Sequence, residues 1–188
     1  MDEFGYLSVL FSIILGLALA QLVMGLGRII QLRARVSFYW PALVWAFTLL
    51  VIDAQSWWAM FSLRRVHEWS FLGFGVVLLH PLALFLIATL AVPDASEFNG
   101  ERRVALEENY FSHFRWFFGA ILLAIVASLV RPLVLGLAIA PEDVVIQGFW
   151  FALALVAMAV KAKWYHAALA VVFPVTLALY IGGLFAHL

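Results

Sequence analysis

The chain has no cysteine among its 188 residues. That absence excludes disulfides, thiolate metal sites and a cysteine nucleophile. Charge is scarce as well: Asp, Glu, Lys and Arg make up only 12% of the chain, in equal numbers of each sign, so the formal net charge is zero. No long basic run exists, which argues against nucleic acid as a partner. The phosphate-loop pattern, the dinucleotide glycine fingerprint, the H-E-x-x-H zinc motif and the potassium-filter sequence are all missing, so the common nucleotide, zinc and potassium chemistries have no sequence support. His67, His113, His166 and His187 fall at span ends without metal-ligand spacing, and only His80 lies deep in a span. No metal site and no cofactor, haem included, is expected.

What is present is apolar. Hydrophobic residues make up 66% of the chain, and the mean hydropathy is +1.07. A soluble domain is about half apolar and a quarter charged. A surface this poor in charge must be covered by lipid. A bilayer core needs about 20 apolar helical residues, and six stretches qualify. They lie near 6–30, 40–63, 71–92, 115–139, 145–160 and 167–188. Their runs are continuous, without the alternation of a barrel strand. The expected fold is all-α, one polytopic transmembrane domain of six helices. Ala18-Leu19-Ala20 resembles a signal cleavage site, but the start carries Asp2 and Glu3 where a signal has basic residues, and the apolar run continues to Ile30. The first stretch is therefore read as a retained span.

The connections carry the charge, and Trp and Tyr flank the spans, as at Trp40, Trp57, Trp58, Trp69, Trp164 and Tyr165. That pattern suits anchoring at the headgroups. The longest connection, 94–114, places Val104, Phe111, Phe114 and Phe118 at helical spacing with Glu101, Arg102, Glu107 and Glu108 between them. It reads as an amphipathic interfacial helix or as an extension of the fourth span, and it is a candidate for docking a partner. With six spans, the first, third and fifth connections share a side and hold Arg28, Arg33, Arg35, Arg102, Arg103, Arg115, Lys161 and Lys163. The positive-inside rule then puts both termini outside a cytoplasmic membrane, as in a bacterial inner membrane.

Six spans divide into three and three. His80-Pro81 in the third and Phe173-Pro174 in the sixth occupy similar places, and aligning them also matches Leu84 with Leu177. A three-span repeat makes the halves inverted, as in many transporters.

Polar groups inside lipid are costly and are candidate functional residues. The ionisable ones are Asp53, His80 and Arg131, and Gln21 joins them as a polar group deeper in the first span. Counting about 1.5 Å per residue brings Asp53, His80 and Arg131 to one level near the midplane. An isolated aspartate there must be neutral or paired, and arginine keeps its proton. An Asp53–Arg131 pair with His80 beside it is the simplest arrangement. It serves equally as a proton or ion path and as a lock on helix register. Pro81, Pro132 and Pro174 each kink a span and free the carbonyl four residues back, with a static kink the preferred reading. On the first span Ser8, Ser12, Gly16 and Ala20, followed by Gly25 and Gly27, form a small-residue stripe, suited to close helix approach within the chain or in a homo-oligomer.

The expectation is a small membrane transport protein, a channel or carrier for a proton, small ion or small solute. Asp53, His80, Arg131 and Gln21 are its transport or gating residues. The second reading is a non-conducting accessory or signalling subunit. The third is a lipid- or quinone-linked membrane enzyme using His113 with Glu107 or Glu108.

Overall fold

The computed structural model describes residues 3–66, 68–98 and 103–185. Asp2, His67, Glu101, Arg102 and His187 lie outside the described residues. Six helices dominate: α1 (Glu3–Gln31), α2 (Trp40–Ala59), α3 (Phe71–Ala91), α4 (Leu106–Val134), α5 (Pro141–Ala159) and α6 (Lys163–Phe185). All six are long and apolar enough to cross a membrane. Two short strands, β1 (Val36–Ser37) and β2 (Val104–Ala105), pair in parallel between connections.

Local chemistry sets the helix ends. Pro41 and Pro141 open α2 and α5, where a missing N–H costs nothing and the fixed φ is already helical. The Ser70 hydroxyl caps α3 by accepting from the Gly73 N–H at 3.0 Å. α4 stops at Gly136, which takes φ 64°. The Gly136 N–H donates to the Leu133 carbonyl and the Leu137 N–H to the Pro132 carbonyl, the paired bonds of a Schellman terminus.

That terminus moves two expected boundaries. The fourth span ends at Val134 rather than near 139, and α5 starts at Pro141, which gives the short fifth span its full crossing length. The 94–114 connector is not one interfacial helix. Ala95–Phe98 is a single 3-10 turn, Val104–Ala105 is β2, and from Leu106 the chain is already α4. Of the two expected forms, the extension of the fourth span is the one present.

α3 packs against α1 and α4, α4 also against α5, and α2 bridges α1, α3 and α6. α1 buries Leu7, Phe11, Leu15, Ala18 and Leu22 on one stripe while Val9, Ile13 and Leu17 face outward. The exterior is apolar too: Phe71 is 92% exposed and Trp116 75%. A bundle apolar inside and out suits lipid, where tight packing rather than water exclusion holds helices together. Gly25 shows how tight: a Cβ there would stand 2.6 Å from the Val92 side chain. Of the expected small-residue stripe, Gly25 and Ser12, which accepts from the Trp57 indole, serve this packing, and Gly16 and Ala20 do not. Gly16 and Ala20 are exposed, and nothing lies within 4 Å of a Cβ built at Gly16.

The first, third and fifth connections gather at one end. β1 pairs with β2 there, Lys163 forms an ion pair with Glu107, and Ile29, Val36, Phe98, Val104 and Leu106 make a small second core. Arg28, Arg33, Arg35, Arg103, Lys161 and Lys163 make this the basic end.

Candidate functional site

A cavity of about 600 Å³ lies among α2, α3, α4, α5 and α6, toward the end opposite the basic one. Its mouth includes Ser62, Arg65 and Ala138, all exposed. Its floor is apolar, formed by Trp45, Leu49 and Phe173. Between them stand the polar groups: Gln55 and Ser56 from α2, His80 from α3, Ser128 and Arg131 from α4, Asp143 and Gln147 from α5, and Tyr180 from α6. The volume is that of a small-molecule pocket, with a mainly apolar lining and a few placed polar groups.

His80 is tied on both sides. Its Nδ1 lies 3.1 Å from the Ala124 carbonyl of α4 and its Nε2 lies 3.3 Å from the Ser56 hydroxyl of α2. A carbonyl only accepts, so Nδ1 carries the proton. In the neutral ring Nε2 then accepts from Ser56. His80 thus joins three helices at the cavity wall, and the Pro81 kink follows it directly.

Arg131 is half-buried on the same cavity, three residues from the end of α4 at Val134. Because α4 stops early, Arg131 sits nearer the mouth than a longer span would place it. It lies two turns, about 10 Å, beyond Ala124, the residue that holds His80. Asp143 of α5 and Tyr180 of α6 line the cavity with Arg131. No carboxylate reaches it, however: among the described residues the only ion pair is Lys163–Glu107. The Asp143 carboxylate accepts from the Tyr180 hydroxyl at 2.6 Å instead.

Asp53 forms no ion pair with Arg131 and does not line the cavity. It is 2% exposed, and its Oδ2 has no hydrogen-bond partner. Helix geometry explains the separation. At about 100° per residue, Asp53 lies about 60° around α2 from cavity-facing Ser56, on the side of Trp57, whose indole N–H donates to Ser12 of α1. Gln21 is half-buried on α1, away from the cavity. The structure therefore brings His80 and Arg131 to one space and leaves Asp53 beside it and Gln21 outside it. Pro132 lines the cavity and Pro174 follows floor residue Phe173.

Beyond the floor an aromatic plug separates the cavity from the basic end. Trp45 packs on Phe117, Phe118 and Phe173, with centroids 4.9–5.6 Å apart. Behind it His166 is fully buried. Its Nδ1 accepts from the Tyr110 hydroxyl at 2.9 Å, and its Nε2–H donates to the Val160 carbonyl at 2.9 Å. Phe111, Phe114 and Phe118 surround the ring. Tyr39 stacks obliquely on Tyr110 at 5.4 Å. Burial, reinforced by the charge of Glu107, pushes the Tyr39 phenol up to about 12, so it stays neutral under physiological conditions.

His166 lies at a span end, as the sequence predicts, in the first turn of α6, but its ring is turned inward and buried. Sequence reasoning passed over Asp143, Gln147 and Tyr180. Asp143 and Gln147 are one turn apart at the start of a span, on one helix face, and that spacing was the available signal. His113 is exposed, Glu107 is engaged by Lys163, and among the described residues no hydrogen bond joins His113 to Glu107 or Glu108. In comparisons with known proteins, no family model, no curated protein and no solved structure matches the chain.

Proposed function

We propose that the chain is a small membrane carrier whose cargo chamber is the cavity bounded by Ser56, His80, Arg131, Asp143 and Tyr180. The observation that carries this reading is the shape and lining of that space. Polar groups from five helices converge on a chamber that opens at one end and is stopped by aromatic side chains at the other. A channel needs a continuous path, whereas a carrier exposes its site to one side at a time. Asp53, buried beside the chamber with an unmet acceptor, is the proposed coupling group.

Two inverted halves belong to the same reading. Shifting α3 by 93 positions matches His80, Leu84 and Ile87 to Phe173, Leu177 and Tyr180, and all six residues line the cavity. The two helices run in opposite directions, as corresponding helices of inverted halves do. The basic end is assigned to the cytoplasm and both termini to the outside, in a bacterial inner membrane, by the excess of Lys and Arg. The outward stripe of Gly16 and Ala20 suits a second copy of the chain.

Proteoliposomes challenged with a panel of small neutral and charged solutes, followed by light scattering, test the carrier. At least one solute is expected to enter faster than into protein-free vesicles, at a rate that saturates. A rate that rises linearly with concentration indicates a channel. No excess rate for any solute favours the second reading, a non-conducting subunit. For that reading the surface groove of Glu107, Glu108, Phe111, Ser112, Lys161 and Lys163 is the partner site.

A further inference from the structure

The chamber has an electrical sign. Its charged lining consists of Arg65 at the mouth, Arg131 on the wall and a single carboxylate, Asp143. That carboxylate already accepts from Tyr180 at 2.6 Å. Arg131, a group that stays charged and presents a planar fork of donors, has no ion-pair or hydrogen-bond partner among the described residues. Deeper in the chamber Ser128 and His80 come first, and beyond them the lining is apolar: Ile125, Leu84, Leu177 and Phe173. A half-buried guanidinium without a carboxylate, set above an apolar pocket, is complementary to one kind of molecule. We infer that the chamber takes an apolar organic monoanion, a carboxylate or sulfonate, with its anionic group on Arg131 and its body on the apolar floor.

The shape requirements agree with that assignment. A volume of about 600 Å³ exceeds what an inorganic ion would fill and falls within the range of small organic ligands. Fork geometry favours a planar carboxylate or the paired oxygens of a sulfonate. Arg65 at the mouth adds attraction for an approaching anion. The inference rests on the chamber being a cargo site. Equilibrium binding tests it without requiring transport, so a failure of flux and a failure of charge selection are separate results.

The purified full chain in phosphatidylcholine nanodiscs is titrated calorimetrically with naphthalene-2-sulfonate and with naphthalene-2-sulfonamide, the same body without the charge. The sulfonate is expected to bind about tenfold tighter or better, the worth of a hydrogen-bonded charge. Arg131→Gln should remove that preference and leave sulfonamide affinity within about twofold, whereas Arg28→Gln at the basic end should keep it. If Arg131→Gln fails to fold, the comparison on the unaltered chain still decides. Equal affinity for the two ligands overturns the inference. So does tighter binding of 2-naphthylmethylammonium, or of zwitterionic naphthylalanine, because Asp143 would then be the recognition group. Loss of sulfonate binding when the discs contain phosphatidylglycerol also overturns it, since an anionic lipid would be the occupant.

Discussion

The Tyr180 hydroxyl donates to Asp143 Oδ1 across 2.6 Å, and so ties α6 to α5 at the wall of the chamber. The bond engages one oxygen of the only carboxylate that lines the chamber. It holds the acid toward α6, and no ion pair joins that acid to Arg131. Tyr180→Phe deletes the donor and frees Asp143 to turn toward Arg131. Naphthalene-2-sulfonate affinity is expected to fall about threefold to tenfold in the calorimetric titration, by competition from the acid. Unchanged affinity would show that the tyrosine does not control the site.

Helix approach between α1 and α3 is set by Gly25. A methyl group there would lie 2.6 Å from Val92 side-chain atoms, so Gly25→Ala must push the helices apart. We expect a loss of about 1–3 kcal/mol, the usual range for overpacking. Gly27→Ala, with nothing within 4 Å, should be neutral or gain up to about 1 kcal/mol from helix propensity. Thermal unfolding of the two variants in one detergent makes the comparison.

The plug depends on a hydrogen bond as well as on ring packing. Tyr110→Phe keeps the ring but leaves His166 Nδ1 buried without its donor. The expected cost is about 1–3 kcal/mol, from an unmet buried acceptor. A carrier variant with this loosened plug should also leak solute down a gradient, measurable as a loss of saturation in the vesicle assay.

Asp53 should behave differently from a residue that locks helices together. It has no ion pair and its Oδ2 has no partner, so Asp53→Asn breaks no known contact. The variant is expected to unfold within about 1 kcal/mol of the parent, inside the range of substitutions that remove no interaction. Vesicle flux, by contrast, should lose its dependence on a proton gradient. A large fall in stability would mean that the carboxyl is structural glue.

Much of the architecture was legible in the sequence because bilayer thickness imposes a length on every crossing. Six runs predicted six helices, and connection parity predicted the basic end that β1, β2 and the Lys163–Glu107 pair assemble. The misplaced boundaries have a local cause. Glu107, Glu108 and Asn109 look like loop residues but form the first turn of α4, where acidic side chains favour the helix N-terminus. The terminus at Gly136 was written as a single glycine inside an apolar run. Residue choice, depth and charge singled out His80 and Arg131. Facing did not follow from them, because a rotation of about 60° on α2 separates Asp53 from Ser56, and only the packing of α2 between α1 and α6 fixes which one meets the chamber.

Two-sided accessibility of Ser128, which lines the chamber, tests the carrier most directly and needs no knowledge of the cargo. The chain has no cysteine, so Ser128→Cys supplies a single thiol. A membrane-impermeant maleimide is applied to oriented vesicles from either side. The account predicts fast labelling from the mouth side and slower labelling from the basic side as the plug opens in turn, with cargo shifting the ratio. Labelling from the mouth side alone, unchanged by any solute, would contradict it.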